Sequence, residues 1–249
     1  VGEQGVASLT GQADVGLGAG GRFDIRLDGR DLAAGGLTWK TLELRGDGAM
    51  PDHRLSLVLK GQALSLDLKA SGALKSDNAY QGSLGQLDLD SAQYGRWRLQ
   101  KPAQVLVAQP KVTVGPLCLR EAKASKGGTG SSGGCLGFAQ AAPGKWEADI
   151  DLDRLAFDLL APFLPPNLSL AGSASLKGRF AADGPVLTGT AALNIPKGSM
   201  TLTVGRQSQT FDFSNTRLGL ESGVKALTAK FDLPLAGIGG ANLDLTLAG

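Results

Sequence analysis

The chain has 249 residues, of which 37 are glycine, roughly twice the usual share of about 7%. Hydrophobic residues make up 42%, charged residues 19% and aromatics 5%, with a formal charge of +2. That composition excludes a disordered tail, gives no electrostatic case for nucleic acid, and with one histidine (His53) and two cysteines argues against a protein-built zinc site.

No stretch of 18 apolar residues occurs, so no helix spans a bilayer. The chain starts at Val1 without a signal peptide, as expected of a mature protein or an excised fragment. No motif calls for a cofactor.

The first element is Arg22-Phe23-Asp24-Ile25-Arg26-Leu27, which alternates as a strand. It follows Gly16-x-Gly18-x-x-Gly21, a dinucleotide fingerprint that works only ahead of a helix, so the fingerprint is set aside. Pro51-Asp52-His53-Arg54 reads as a turn, with a surface histidine at a strand start. Leu55, Leu57 and Leu59 then alternate with Ser56, Val58 and Lys60. Leu64, Leu66 and Leu68 repeat the pattern, and small or apolar even positions continue through Ala70, Gly72 and Leu74. Strict alternation gives a strand one apolar and one polar face.

Parity slips mark turns or bulges. After the turn residues Asp77-Asn78, Leu84 is even but Leu87 and Leu89 are odd, which predicts a bulge or turn at Gly85-Gln86. Short strands around Val105, Val107, Val112 and Val114 give way to Leu117 and Leu119 across Gly115-Pro116. Gly127-Gly128-Thr129-Gly130-Ser131-Ser132-Gly133-Gly134 is a flexible linker by composition. It lies between Cys118 and Cys135, so an irregular loop over 118–135 is predicted rather than a domain boundary. It carries two further motif matches, Gly128-x-Gly130-x-x-Gly133 and a GxSxG, but neither a following helix nor a nearby histidine to serve them. In an oxidising compartment the two cysteines close a loop of 18 residues, worth about 3 kcal/mol on chain entropy. In a reducing one they are two buried thiols.

Asp88 with Asp90, and Asp149 with Asp151, stand at i and i+2 on polar faces, where solvation explains them better than acid–base chemistry. Leu155, Leu159, Leu160 and Phe163 are helically spaced and Pro162, Pro165 and Pro166 end the run, which predicts one short helix near 155–163. Asn167-Leu168-Ser169 matches a glycosylation sequon by pattern only. Leu168, Leu170, Gly172, Ala174, Leu176, Gly178 and Phe180 form an even series. Leu227, Ala229, Phe231, Leu233 and Leu235 form an odd one, and the chain finishes on Leu243, Leu245 and Leu247. Asp183-Gly184-Pro185 and Pro196-Lys197-Gly198 are turn chemistry. A Leu-x-Gly triplet recurs, ending among others at Gly11, Gly29, Gly46, Gly172, Gly178 and Gly189, without a fixed period. Glycine at strand ends or bends is the reading.

Short connections imply antiparallel neighbours, so the fold class is all-β, a long antiparallel meander. Its apolar face must be covered. The face is leucine with alanine and glycine, which fits either an ordinary packed β core or a lipid-lined groove.

Trp97-Arg98-Leu99-Gln100-Lys101-Pro102, the strands around Val105 and Val112, Leu117-Cys118-Leu119, Gly134-Cys135-Leu136, Trp146, the 155–166 segment and Leu168-Ser169-Leu170-Ala171-Gly172 follow in order. This succession resembles the central region of the TamB family, and more broadly the AsmA-like proteins. It is clearest over residues 50–195. The resemblance implies one continuous fragment over 1–249, about 15 to 18 strands curled into a U-shaped groove with a hydrophobic interior. Unpaired strand edges would stand at both ends of such a fragment. It implies a non-enzymatic periplasmic bridge, anchored to the inner membrane in the full-length protein, that conducts phospholipid acyl chains. The outer-membrane partner is TamA, reached through regions absent from this chain. On this reading the lipid-facing wall comprises Leu55, Leu57, Leu59, Leu64, Leu66, Leu68, Leu87, Leu89, Val105, Val107, Leu168, Leu170, Leu176, Phe180, Leu193, Leu227, Phe231, Leu233, Leu243, Leu245 and Leu247. The cysteines are read as a Cys118–Cys135 disulfide pinning the irregular loop. The rival reading is a chaperone-like scaffold that assembles outer-membrane proteins by β-strand addition. A glycan site is disfavoured by the scarcity of aromatics.

Overall fold

The computed structural model describes residues 5–16, 21–34, 37–75, 78–123, 131–235 and 239–248. The chain divides into two compact units, Val1–Lys123 and Ala124–Gly249. Both are built of antiparallel strands, as the alternation predicts.

The first unit contains β1 (Gly5–Val15), β2 (Arg22–Ala34), β3 (Leu37–Ala49), β4 (Asp52–Gly61), β5 (Leu64–Leu74), β6 (Tyr80–Ser91), β7 (Gly95–Leu99), β8 (Ala103–Ala108) and β9 (Lys111–Lys123). Strands β1 to β6 pair in sequence order. Beyond β6 the two short strands lie end to end. β8 pairs with Tyr80–Leu84 of β6, and β7 with Asp88–Ser91. β9 then runs along both, meeting β8 through Val112 and Val114 and β7 through Leu119 and Glu121.

Both parity slips in this region have that origin. The bulge at Gly85-Gln86 is present: Lys69 faces Gln86 and Ala70 faces Leu84, so β6 carries one extra residue. The slip at Gly115-Pro116 interrupts no strand. It falls where β9 leaves β8 for β7.

The second unit contains β10 (Gly133–Ala142), β11 (Lys145–Ala156), a 3-10 helix (Phe157–Phe163), β12 (Leu168–Asp183), β13 (Val186–Val204), β14 (Gln207–Ser222), β15 (Ala226–Leu235) and β16 (Gly239–Ala248), with neighbours pairing in sequence order. Gly184 makes the β12–β13 turn with φ +60°, where a side chain would be strained. The helix begins two residues later than its periodicity predicts, because Leu155 and Ala156 stay in β11 opposite Ala174 and Ser173. Phe157 and Leu159 are its buried residues, and Pro162 sits inside the last turn.

Three local readings are corrected. Pro196-Lys197-Gly198 is no connection: it lies within β13, where Ser173 and Ser175 of β12 face Lys197 and Asn194, so the extra residue is absorbed as a bulge. The irregular stretch is shorter than 118–135, since Cys118 lies well inside β9 and Gly133 opens β10. Its residues 127–130 are outside the described residues, as are Asp77 and Gly18. Of the Leu-x-Gly glycines, Gly61 ends β4 as read, whereas Gly11, Gly29 and Gly46 sit inside strands. Large side chains of neighbouring strands lie across them: Leu27 Cδ1 would be 3.1 Å from a Cβ at Gly11, and Phe23 Cε2 3.6 Å from one at Gly46.

Neither unit has a packed leucine core. Among the described residues, the buried hydrophobics are Ala79, Ala103 and Cys118 in the first unit and Ala156, Phe157, Leu159 and Ala174 in the second. A sandwich core would bury leucines from both inner faces. Both cysteines are disulfide-bonded, and there is no free thiol.

Candidate functional site: the open apolar sheet faces

Register carries the alternation of single strands into two-dimensional surfaces. In the first unit Leu27, Leu44, Leu57, Leu68 and Leu87 are successive cross-strand partners from β2 to β6. The adjacent row runs Leu42, Leu59, Leu66, Leu89 and Trp97. Leu55 faces Gly46 and Ala70. Leu64 faces Ser91, Val105 faces Gly82 and Val114, and Val107 faces Tyr80 and Val112. Directly opposed residues share a face, so all ten wall residues predicted in this unit lie on one surface.

The second unit repeats the arrangement. Leu152, Leu176, Leu193, Leu218, Phe231 and Leu243 form one row across six strands. Leu168 and Leu170 face Leu202 and Met200, and Phe180 faces Ala148 and Gly189. Leu227 faces Leu247, Leu245 faces Ala229, and Leu233 faces Ala241. The eleven wall residues predicted here also share one surface.

None of the twenty-one is buried. Leu55 is 41% exposed, Leu245 48% and Leu247 63%. A greasy face left this open is an unsatisfied surface on each unit.

Sequence reasoning missed part of these apolar rows. Leu27, Leu42, Leu44, Leu152 and Leu218 belong to the rows. Leu42-Glu43-Leu44 carries the signal in two alternating residues, too short a run to stand out without its neighbours.

The opposite faces are polar and laced with ion pairs. Arg96 and Arg98 meet Asp90 and Asp88 at 2.6 and 3.0 Å, and Arg179 and Lys177 meet Asp149 and Asp151 at 2.6 and 3.6 Å. The hydrogen bond to Asp149 holds the Arg179 guanidinium above its usual value, and Asp183 does the same for the Lys145 ammonium. These exposed pairs keep one side wet and contribute little to stability. One cleft of about 670 Å³ is lined by Asp14, Arg22, Asp24, Asp47 and Asp52 among others, and its charge makes it no place for an acyl chain.

His53 stands at a strand start as read, but on the apolar face. Its ring centroid is 5.9 Å from that of Phe23 and 5.6 Å from that of Tyr80, and its Nδ1 is sheltered without a hydrogen-bond partner. The turn residues before it hide this in the sequence. Its cross-strand partners Gly48 and Gly72 leave the room in which the three rings meet.

Compared with known proteins, the chain matches a family model described as TamB, N-terminal domain, over residues 2–249. The match takes in both flanks of the 50–195 region on which the sequence resemblance rests. No curated protein and no solved structure matches.

Proposed function

The chain belongs to the TamB family, and from that premise we propose that it is a non-enzymatic section of a phospholipid conduit between the inner and outer membranes. Acyl chains lie on the leucine faces, and the twenty-one wall residues are their contacts. The full-length protein is anchored in the inner membrane, works in the periplasm as part of the translocation and assembly module, and has TamA as its outer-membrane partner. A U-shaped curl of the sheets would give these faces the form of a groove.

The observation that carries this reading is the pair of continuous apolar faces on which no wall residue is buried. Each methylene taken from water is worth about 0.8 kcal/mol, so ten methylenes on such a face contribute about 8 kcal/mol without any polar clamp.

Native mass spectrometry of the purified chain, with lipid extraction alongside, tests it. Several co-purified phospholipids per chain are expected. A lipid-free mass that takes up no added phospholipid would refute the conduit. The rival reading is the scaffold that takes up outer-membrane strands by strand addition. It predicts capture of unfolded β-strand peptide in place of lipid.

A further inference from the structure

Strands β12, β13 and β14 run on past a line at which their neighbours stop. Register shifts mark that line, between Leu152 and Leu155 on β11, Ser173 and Ser175 on β12, and Phe213 and Arg217 on β14. Beyond it, residues 168–171, 199–204 and 207–212 pair only with one another, as a three-stranded tongue. The two margins of the tongue differ. On one side β11 gives way to the 3-10 helix, which packs against β12. On the other, β15 ends at Leu235 opposite Phe213 and β16 starts at Gly239 opposite Leu235, so neither reaches 207–212. Among the described residues no strand pairs with the outer side of that segment.

An unpaired edge is a template for another chain, and proteins usually blunt it with lysine, proline or a bulge. Gln207-Ser208-Gln209-Thr210-Phe211-Asp212 has none of the three, and its register against β13 is unbroken. All but Phe211 are exposed. Ser208 and Thr210 are hydrogen-bonded to Thr203 and Thr201 at 3.0 and 2.9 Å, which ties the edge strand to β13 on its polar face.

The edge also carries opposite charges at its two ends, Arg206 in the turn before it and Asp212. Both are exposed, and neither enters an ion pair among the described residues. An antiparallel copy of the same segment, centred on Gln209, sets Arg206 against Asp212 twice, Gln207 against Phe211 and Ser208 against Thr210. Even positions oppose even and odd oppose odd, so the apolar faces of both copies lie on one side, as cross-strand pairing requires. Parallel pairing in register would set like charges side by side.

We propose that 207–212 is an interface to a second copy of this chain, which pairs antiparallel about Gln209 and joins two tongues into one six-stranded sheet. The contact uses the same patch on both copies and closes at two. Six residues make about 20 Å of edge, so the dimer is weak and reversible. The inference is independent of the conduit reading.

Sedimentation equilibrium of the intact chain, over a concentration series reaching the millimolar range, tests it. A monomer–dimer equilibrium is expected. Arg206→Asp or Asp212→Arg alone turns two attractions into two repulsions and is expected to weaken the dimer about tenfold. The double variant restores opposite charges in swapped positions and is expected to return to within about threefold of wild type. Circular dichroism checks that each variant is folded. Both native cysteines are already paired, so Gln209→Cys adds a single thiol that stands opposite itself and is expected to give a disulfide-linked dimer on mild oxidation. A chain that stays monomeric at every concentration overturns the proposal. So does a dimer that ignores the charge swap or leaves Gln209→Cys unlinked, since either places the association at another surface.

Discussion

Leu66→Asp and Leu176→Asp place one carboxylate in the middle of each apolar face. Leu66 lies between Leu59 and Leu89, and Leu176 between Leu152 and Leu193. In a packed core an unpaired charge costs several kcal/mol, a large part of the 5–15 kcal/mol that holds a typical domain together. On these open faces the carboxylate reaches water, and the cost is the leucine's share of buried area. Full burial of a leucine is worth about 1.5–3 kcal/mol, so a partly covered one loses about 1–2 kcal/mol, or roughly 2–8 °C in melting temperature for a protein of this size. A bound acyl chain suffers more. Lifting about four methylenes off the charged spot costs about 3 kcal/mol, roughly a hundredfold in local occupancy. Thermal melts followed by circular dichroism, beside native mass spectrometry of each variant, read the two effects separately. The expected outcome is a folded sheet with little bound phospholipid. Loss of the sheet would show an ordinary core, and undiminished lipid in the folded variants would place the lipid elsewhere.

Gly72→Ala drives a methyl into the Tyr80 ring, whose Cε2 stands 2.8 Å from the new Cβ, and costs about 1–3 kcal/mol by overpacking. In a Tyr80→Ala background the same change is expected to cost almost nothing, and equal costs by denaturant titration in both backgrounds would refute the overlay. Reducing the disulfide, or Cys118→Ser with Cys135→Ser, removes about 3 kcal/mol; a melting curve indifferent to reductant contradicts that. Lys145→Met bears on the exposed pair with Asp183. The folded-state value of Lys145 is raised, so its contribution is present below the unfolded value of 10.5 and is lost as pH rises through the folded one. The melting difference between wild type and variant is therefore small at neutral pH and vanishes at strongly alkaline pH, and a difference that grows there would refute the assignment.

Class and faces were legible because the side-chain period in a strand is two and the leucines keep it over long runs. Leu64 to Leu74 could be assigned to one face without any neighbour. The bulge at Gly85-Gln86 was legible for the same reason, as a parity change. What sequence could not supply was pairing. Gly115-Pro116 looks like a break until β9 is seen to exchange β8 for β7, and Pro196 looks like a turn until β12 is seen to pass it on both sides. His53 shows the limit most clearly. Polar neighbours in sequence place it on the surface, whereas its neighbours in space are Phe23 and Tyr80, contributed by strands two removed on either side.

The glycines crossed by neighbouring side chains have a mechanical meaning. Tyr80 lies over Gly72 and Gly82, Phe180 over Gly178 and Gly189, and Phe213 over Gly198. A tall ring standing upright would leave a ridge, and an uncovered glycine a pit; laying the first across the second levels both. On a levelled surface, a chain that advances by one carbon exchanges contacts of about 0.1–0.2 kcal/mol each for nearly equal ones, well under the thermal energy of about 0.6 kcal/mol. On the conduit reading, the aromatic–glycine pairs would set the friction that a sliding hydrocarbon meets. Enlarging such a glycine would roughen the track before it weakened the grip.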